Sequence, residues 1–149
     1  LYRALRPISC ESEEPAVENL FQMNFSKNQV NAISNLGLAH LGDCVFEILC
    51  RAYLCTRGDK TVDKLHRDTI NMVKATSQAA FADKMLPLLT EEEQAVFRRG
   101  RNANVHSIPQ NASRAQYQQA TALGSLFGWL YLRGERNRIE ELFCIMMGE

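Results

Sequence analysis

From about residue 28 onward, apolar residues recur along this chain at helical spacing. Val30, Ile33, Leu36, Leu38, Leu41, Val45, Ile48, Leu49 and Ala52 predict a helical stretch over 29–57, interrupted at Gly37 and Gly42. "TRGDKT" breaks it, with a glycine suited to the position just past a helix end. Thr61 then caps a second helix carrying Val62, Leu65, Ile70, Val73, Ala79, Phe81 and Met85, and Asp63 in its first turn complements the helix dipole. In "LTEEEQAVFRRGRNAN", Thr90 and Glu93 form a capping box, acids fill the first turn and arginines load the far end. A loop with Pro109 follows, and Asn111 or Ser113 caps a long helix over 114–133. A last amphipathic helix over 135–147 carries Ile139, Leu142, Phe143, Met146 and Met147. No run of alternating apolar and polar residues lasts long enough for a strand. The expected class is all-α, with five or six helices. Residues 28–149 form the predicted domain, preceded by an acidic extension over 1–27 with a short helix around 16–23.

A length of 149 residues suits one hydrophobic core. Hydrophobic residues at 46% and charged residues at 23% indicate a globular chain. No apolar run approaches the roughly 20 residues of a membrane span, and there is no signal-peptide pattern. The five cysteines, Cys10, Cys44, Cys50, Cys55 and Cys144, include no C-x-x-C pair and no Cys/His set at zinc-site spacing. They read as reduced small hydrophobes of a cytoplasmic protein rather than zinc ligands.

Charge alters the picture more than composition does. Lys+Arg and Asp+Glu balance at 17 each, yet no acid occurs from Gln94 through Gly134. That stretch holds Arg98, Arg99, Arg101, Arg114 and Arg133, so neutrality overall conceals a local positive field. Arginines at a helix C-terminus can simply complement the dipole. Together with Asn102, Asn104, His106 and Ser107 they also match what phosphate oxygens accept from, with Gly100 letting the backbone come close. Interleaved aromatics are missing, which favours the phosphates and shape of a duplex over stacking on a single strand.

The opposite oddity is Asp43, an acid inside the apolar run "GLAHLGDCVFEILC". A buried carboxylate is costly unless something meets it. Asp43 can cap a helix restart after Gly42, or pair with an arginine in the chain of i,i+4 partners made by Glu47 and Arg51. It can also hold Mg2+, which favours one or two carboxylates completed by water and phosphate.

"NLGLAHLGDCVFEILCRAYL" resembles the leading motif of the ribonuclease III family, and of its mini-ribonuclease III branch in particular, which lacks a double-stranded-RNA-binding domain. "LHRDTINMVKATSQA", "LTEEEQAVFRRGRNAN" and "YQQATALGSLFGWLYLRGERNRIEEL" follow in the matching order, so the resemblance covers about residues 30–147. It implies an all-α, Mg2+-dependent endoribonuclease that works as a homodimer on double-stranded RNA and matures ribosomal RNA precursors. Asp43 falls on the metal-binding acid, and Arg98, Arg99, Arg101 and Asn102 fall in the RNA-gripping segment. The chain departs from the pattern where the family carries a second metal-binding Glu: here that position is Gly124. Ala39 and Thr121, acids in larger relatives, follow the mini branch. Two readings therefore stand beside each other, an impaired endoribonuclease and a non-catalytic RNA-binding member. A helical domain whose arginines serve a protein partner is a third. His40 and His66 are expected to pack, and His106 to touch phosphate. Phe127, Trp129 and Tyr131 are expected in the core and dimer interface.

Overall fold

The computed structural model describes residues 19–104, 107, 108 and 110–149. Its described residues form seven α-helices: α1 (Lys27–Asn31), α2 (Asn35–Cys55), α3 (Val62–Val73), α4 (Ala75–Met85), α5 (Glu91–Arg101), α6 (Arg114–Leu132) and α7 (Arg136–Met147), with a 3-10 turn at Leu86–Leu88. The all-α expectation holds. Cys10, His106 and the part of the predicted first helix before Asn19 lie outside the described residues, and Asn19–Phe25 form a turn and extended chain rather than a helix.

Capping chemistry sets most boundaries as read from the sequence. The Thr90 hydroxyl accepts the Glu93 N–H while the Glu93 carboxylate accepts the Thr90 N–H. Ser113 and Gln116 repeat the arrangement at the start of α6. The long helix breaks at Ile33–Ser34 instead of at Gly37 or Gly42: Ser34 caps α2 by accepting the Gly37 N–H at 3.0 Å. The predicted helix over 62–85 is two helices, because Lys74 adopts an extended backbone (φ −65°, ψ 149°). Gly58 takes the left-handed backbone (φ +80°) just past α2.

α6 is the axis of the fold. Every residue from Ala122 to Leu130 is buried, as expected for a helix packed on all sides. α2, α4 and α5 lie against it, α3 packs on α2, and α7 closes the end against α4 and α6. Phe46 of α2 stands at the centre, edge-on to Phe127 and Phe143 with ring centroids 5.9 and 6.0 Å away. Phe127 and Trp129 are core residues, as expected.

α2 and α6 cross with almost nothing between their backbones. A Cβ on Gly42 would overlap the carbonyl of Gly124, and a Cβ on Gly128 would overlap that of Leu38. Gly42 is therefore a packing residue and not a helix interruption. Gly100 does the same for α5, since a Cβ there would lie 2.5 Å from Ser125 Oγ. It serves the core and not a phosphate.

Candidate active site

The close crossing carries Asp43 with it. Asp43 lies on α2 at the edge of a cavity of about 490 Å3. α2 contributes Leu36, Ala39, His40, Asp43 and Glu47 to its wall, the α3–α4 corner gives Val73, Ala75 and Gln78, and α6 gives Tyr117, Ala120 and Thr121. Although Asp43 as a whole is exposed, its carboxyl turns inward: Oδ1 lies 2.7 Å from where a Cβ on Gly124 would stand. Burial of that tip pushes its pKa up from 3.8 to about 6. The charge of His40 opposes the rise and that of Glu47 adds to it.

Neither protein partner weighed from the sequence meets this carboxylate. Asp43 is not a cap, because α2 runs unbroken through it. Arg51 is engaged by Glu47, with Nε donating to Oε1 at 2.8 Å. His40 is exposed and lines the Asp43 cavity, so it does not face the core. His66 is exposed beside Val62 and Thr69, which corrects the expectation that it packs.

Gly124 is buried directly beside Asp43. A Cβ there would lie 2.7 Å from Asp43 Oδ1, 3.0 Å from Ala39 O and 3.3 Å from Ala39 Cα, so a side chain at 124 requires the Asp43 carboxyl to move aside. Thr121, one turn earlier, uses its hydroxyl to donate to the Tyr117 carbonyl at 2.9 Å. Among the described residues no group of three or more His, Cys, Asp or Glu is arranged to hold a metal. The donors that do face the cavity are chiefly hard oxygens, from Asp43 and Glu47. That set suits Mg2+, which needs only one or two carboxylates when water and phosphate supply the remaining oxygens.

Arg98, Arg99 and Arg101 are exposed on the last turn of α5, and Asn102 is its exposed C-cap. The arginine ion pairs among the described residues involve Arg51, Arg57 and Arg138, and none of these three. Arg99 borders a second cavity of about 510 Å3 with Asn31, Ser34, Asn35 and Leu38. Leu36 and Ala39, on the same turns of α2, face the Asp43 cavity. The start of α2 thus carries one wall of the Arg99 cavity and one wall of the Asp43 cavity. The sequence reading overlooked Tyr117 as a wall of this cavity and gave Gln78 no role.

Comparison with known proteins shows the family of the chain. The model of the ribonuclease III domain matches residues 36–135. A Mini-ribonuclease 3 of Symbiobacterium thermophilum is 45% identical over 72% of this chain and 82% of its own length. That of Clostridium tetani is 39% identical over 83% of this chain and 82% of its own. A Mini-ribonuclease 3-like protein of Ilyobacter polytropus is 35% identical over 72% of this chain and 84% of its own. In three dimensions, the crystal structure of a Fusobacterium nucleatum protein superposes with a TM-score of 0.74 at 27% identity, covering 80% of this chain and 96% of that one. Among the described residues no helix is long and apolar enough to cross a membrane. By its matched domain, its relatives and its all-helical fold, the chain belongs to the ribonuclease III family of endoribonucleases, alongside the mini-ribonuclease 3 proteins.

Proposed function

We propose that this chain acts on structured, double-stranded RNA as a Mg2+-dependent endoribonuclease whose centre rests on Asp43, and that Gly124 leaves that centre slow. The observation that carries the reading is the convergence of positions 43 and 124: a side chain at 124 would start 2.7 Å from Asp43 Oδ1. An acid there would bear on the same cation that Asp43 holds.

Arg98, Arg99, Arg101 and Asn102 hold phosphate oxygens and set the register of the duplex. Asp43 anchors the cation, and the cavity walls from Gln78, Tyr117 and Thr121 confine the scissile phosphate. Mg2+ held by Asp43 would supply Lewis-acid polarisation of the phosphoryl group and ease deprotonation of the attacking water. Residues 28–149 form the catalytic unit and work as a homodimer in the cytoplasm, and ribosomal RNA precursor is the proposed substrate. Gly124 also favours a second reading, in which the same fold binds RNA without cutting it.

A paired cleavage assay separates the two. Wild type and Gly124→Glu are incubated with double-stranded RNA and Mg2+. The proposal expects weak, Asp43-dependent cleavage by wild type and a gain of at least about tenfold from the added ligand. No cleavage by either protein, with RNA binding intact, selects the second reading. Cleavage by wild type that survives Asp43→Asn places the centre elsewhere.

A further inference from the structure

A second carboxylate shares the Asp43 cavity. Glu47 lies one turn along α2, lines the same wall, and its charge acts on Asp43. Side chains four residues apart on a helix are neighbours, with Cβ atoms roughly 5–6 Å apart, so carboxylates at that spacing can converge on one small cation. Arg51 holds Glu47 in the structure, with Nε at 2.8 Å and Nη2 at 2.6 Å from the same oxygen, Oε1. The other oxygen takes no part in that pair. Both side chains are about half exposed, and an exposed i,i+4 pair contributes little and exchanges readily.

We infer that Glu47 joins Asp43 in holding the divalent cation, in place of the acid that Gly124 lacks, and that Arg51 is its counter-ion when no cation is bound. The inference rests on the reading that a cation sits at Asp43, and it explains how a chain with glycine at 124 keeps two carboxylates at its centre. Two acids on one wall repel each other until a cation or an arginine neutralises them. Arg51 fills that role on the Glu47 side, and a doubly charged ion coordinated by both acids replaces it.

The test is a Mn2+ titration of the full chain without RNA, read by loss of the free-ion electron paramagnetic resonance signal, with circular dichroism confirming that each variant is folded. Wild type is expected to bind Mn2+ at a site that Asp43→Asn abolishes. Glu47→Gln should weaken it by about tenfold or more. Arg51→Met should tighten binding several-fold with Glu47 present and have no such effect in the Glu47→Gln background. Wild-type affinity in Glu47→Gln, with binding lost in Asp43→Asn, overturns this inference and leaves the Asp43 reading standing. Equal tightening by Arg51→Met in both backgrounds also overturns it, because Arg51 would then act only through its distant charge. Undiminished binding in Asp43→Asn removes the Asp43 reading and this inference with it.

Discussion

Among the described residues, Glu93 and Asp43 are carboxylates whose charge is disfavoured by burial, and they are treated in opposite ways. Glu93, near the start of α5, is buried and fully answered. Arg138 of α7 donates to it through Nε at 2.8 Å and Nη2 at 2.9 Å, and the Thr90 N–H donates to the same group at 2.8 Å. Burial alone would raise its pKa, but the Arg138 hydrogen bonds, the Thr90 N–H and the arginine charge together hold it below the ordinary carboxylate range. Asp43 has no such cage, and burial of its tip dominates, so its pKa is pushed up to about 6. The answered charge ties α5 to α7 and is architecture. The unanswered one lies at the edge of a cavity, where a ligand can reach it. An acid whose own fold raises its energy is a candidate for function.

The most direct way to break this comparison is to take away Glu93's answer. Arg138→Met leaves a buried carboxylate without its cation, and breaking such a pair costs roughly 3 kcal/mol. A denaturant midpoint that falls at unchanged slope is the expected result. The same variant should lose its Glu93-dependent stability above the ordinary carboxylate pKa.

Asp43→Asn should act in the reverse direction, because it removes a charge that the fold disfavours. In the metal-free protein at neutral pH it is expected to stabilise by on the order of 1 kcal/mol, a figure already reduced for solvent screening at an exposed residue. The pH dependence sharpens the contrast. Between 3.8 and about 6 the folded chain holds the Asp43 proton more tightly than the unfolded chain does. Its contribution to stability is therefore present at low pH and lost as pH rises through that window. Glu93 has a depressed folded pKa, so its contribution is present above the ordinary value and lost as pH falls. Stability curves of wild type, Asp43→Asn and Arg138→Met from pH 3.5 to 7 should separate the two slopes. Matching slopes for the two variants would show that the carboxylates do not differ.

The smallest effect on stability is expected from the arginine end of α5. Replacing Arg98, Arg99 and Arg101 with alanine should change stability by no more than about 0.5 kcal/mol, as for ordinary surface substitutions. The salt dependence of RNA binding should nonetheless flatten, with the log–log slope reduced by up to about 3. An unchanged slope would place the RNA elsewhere.

Local chemistry was legible in the sequence and close packing was not. The Thr90–Glu93 and Ser113 caps could be read because their partners lie within one turn. Asp43 stood out because it is an acid set among apolar residues, and the arginines because no acid interrupts them. The Lys74 break went unseen because it contains no glycine or proline and its side chain caps nothing. Gly42 read as an interruption because its reason is the Gly124 carbonyl, far away along the chain. The Arg138–Glu93 pair was hidden for the same reason. Residues 20–25 read as part of an extension, yet Phe25 N–H donates to the Leu132 carbonyl at 2.7 Å and Met23 is buried.

The claim on which the rest depends is that the answer to Asp43 is a divalent cation. The measurement that tests it most directly is the melting temperature of wild type and Asp43→Asn, each with and without Mg2+ at neutral pH. A ligand that binds only the folded state stabilises it by mass action. The account predicts that Mg2+ raises the melting temperature of wild type by a few degrees, while Asp43→Asn is more stable than wild type without metal and does not respond to it. Equal shifts in both proteins, or none in wild type, would contradict it.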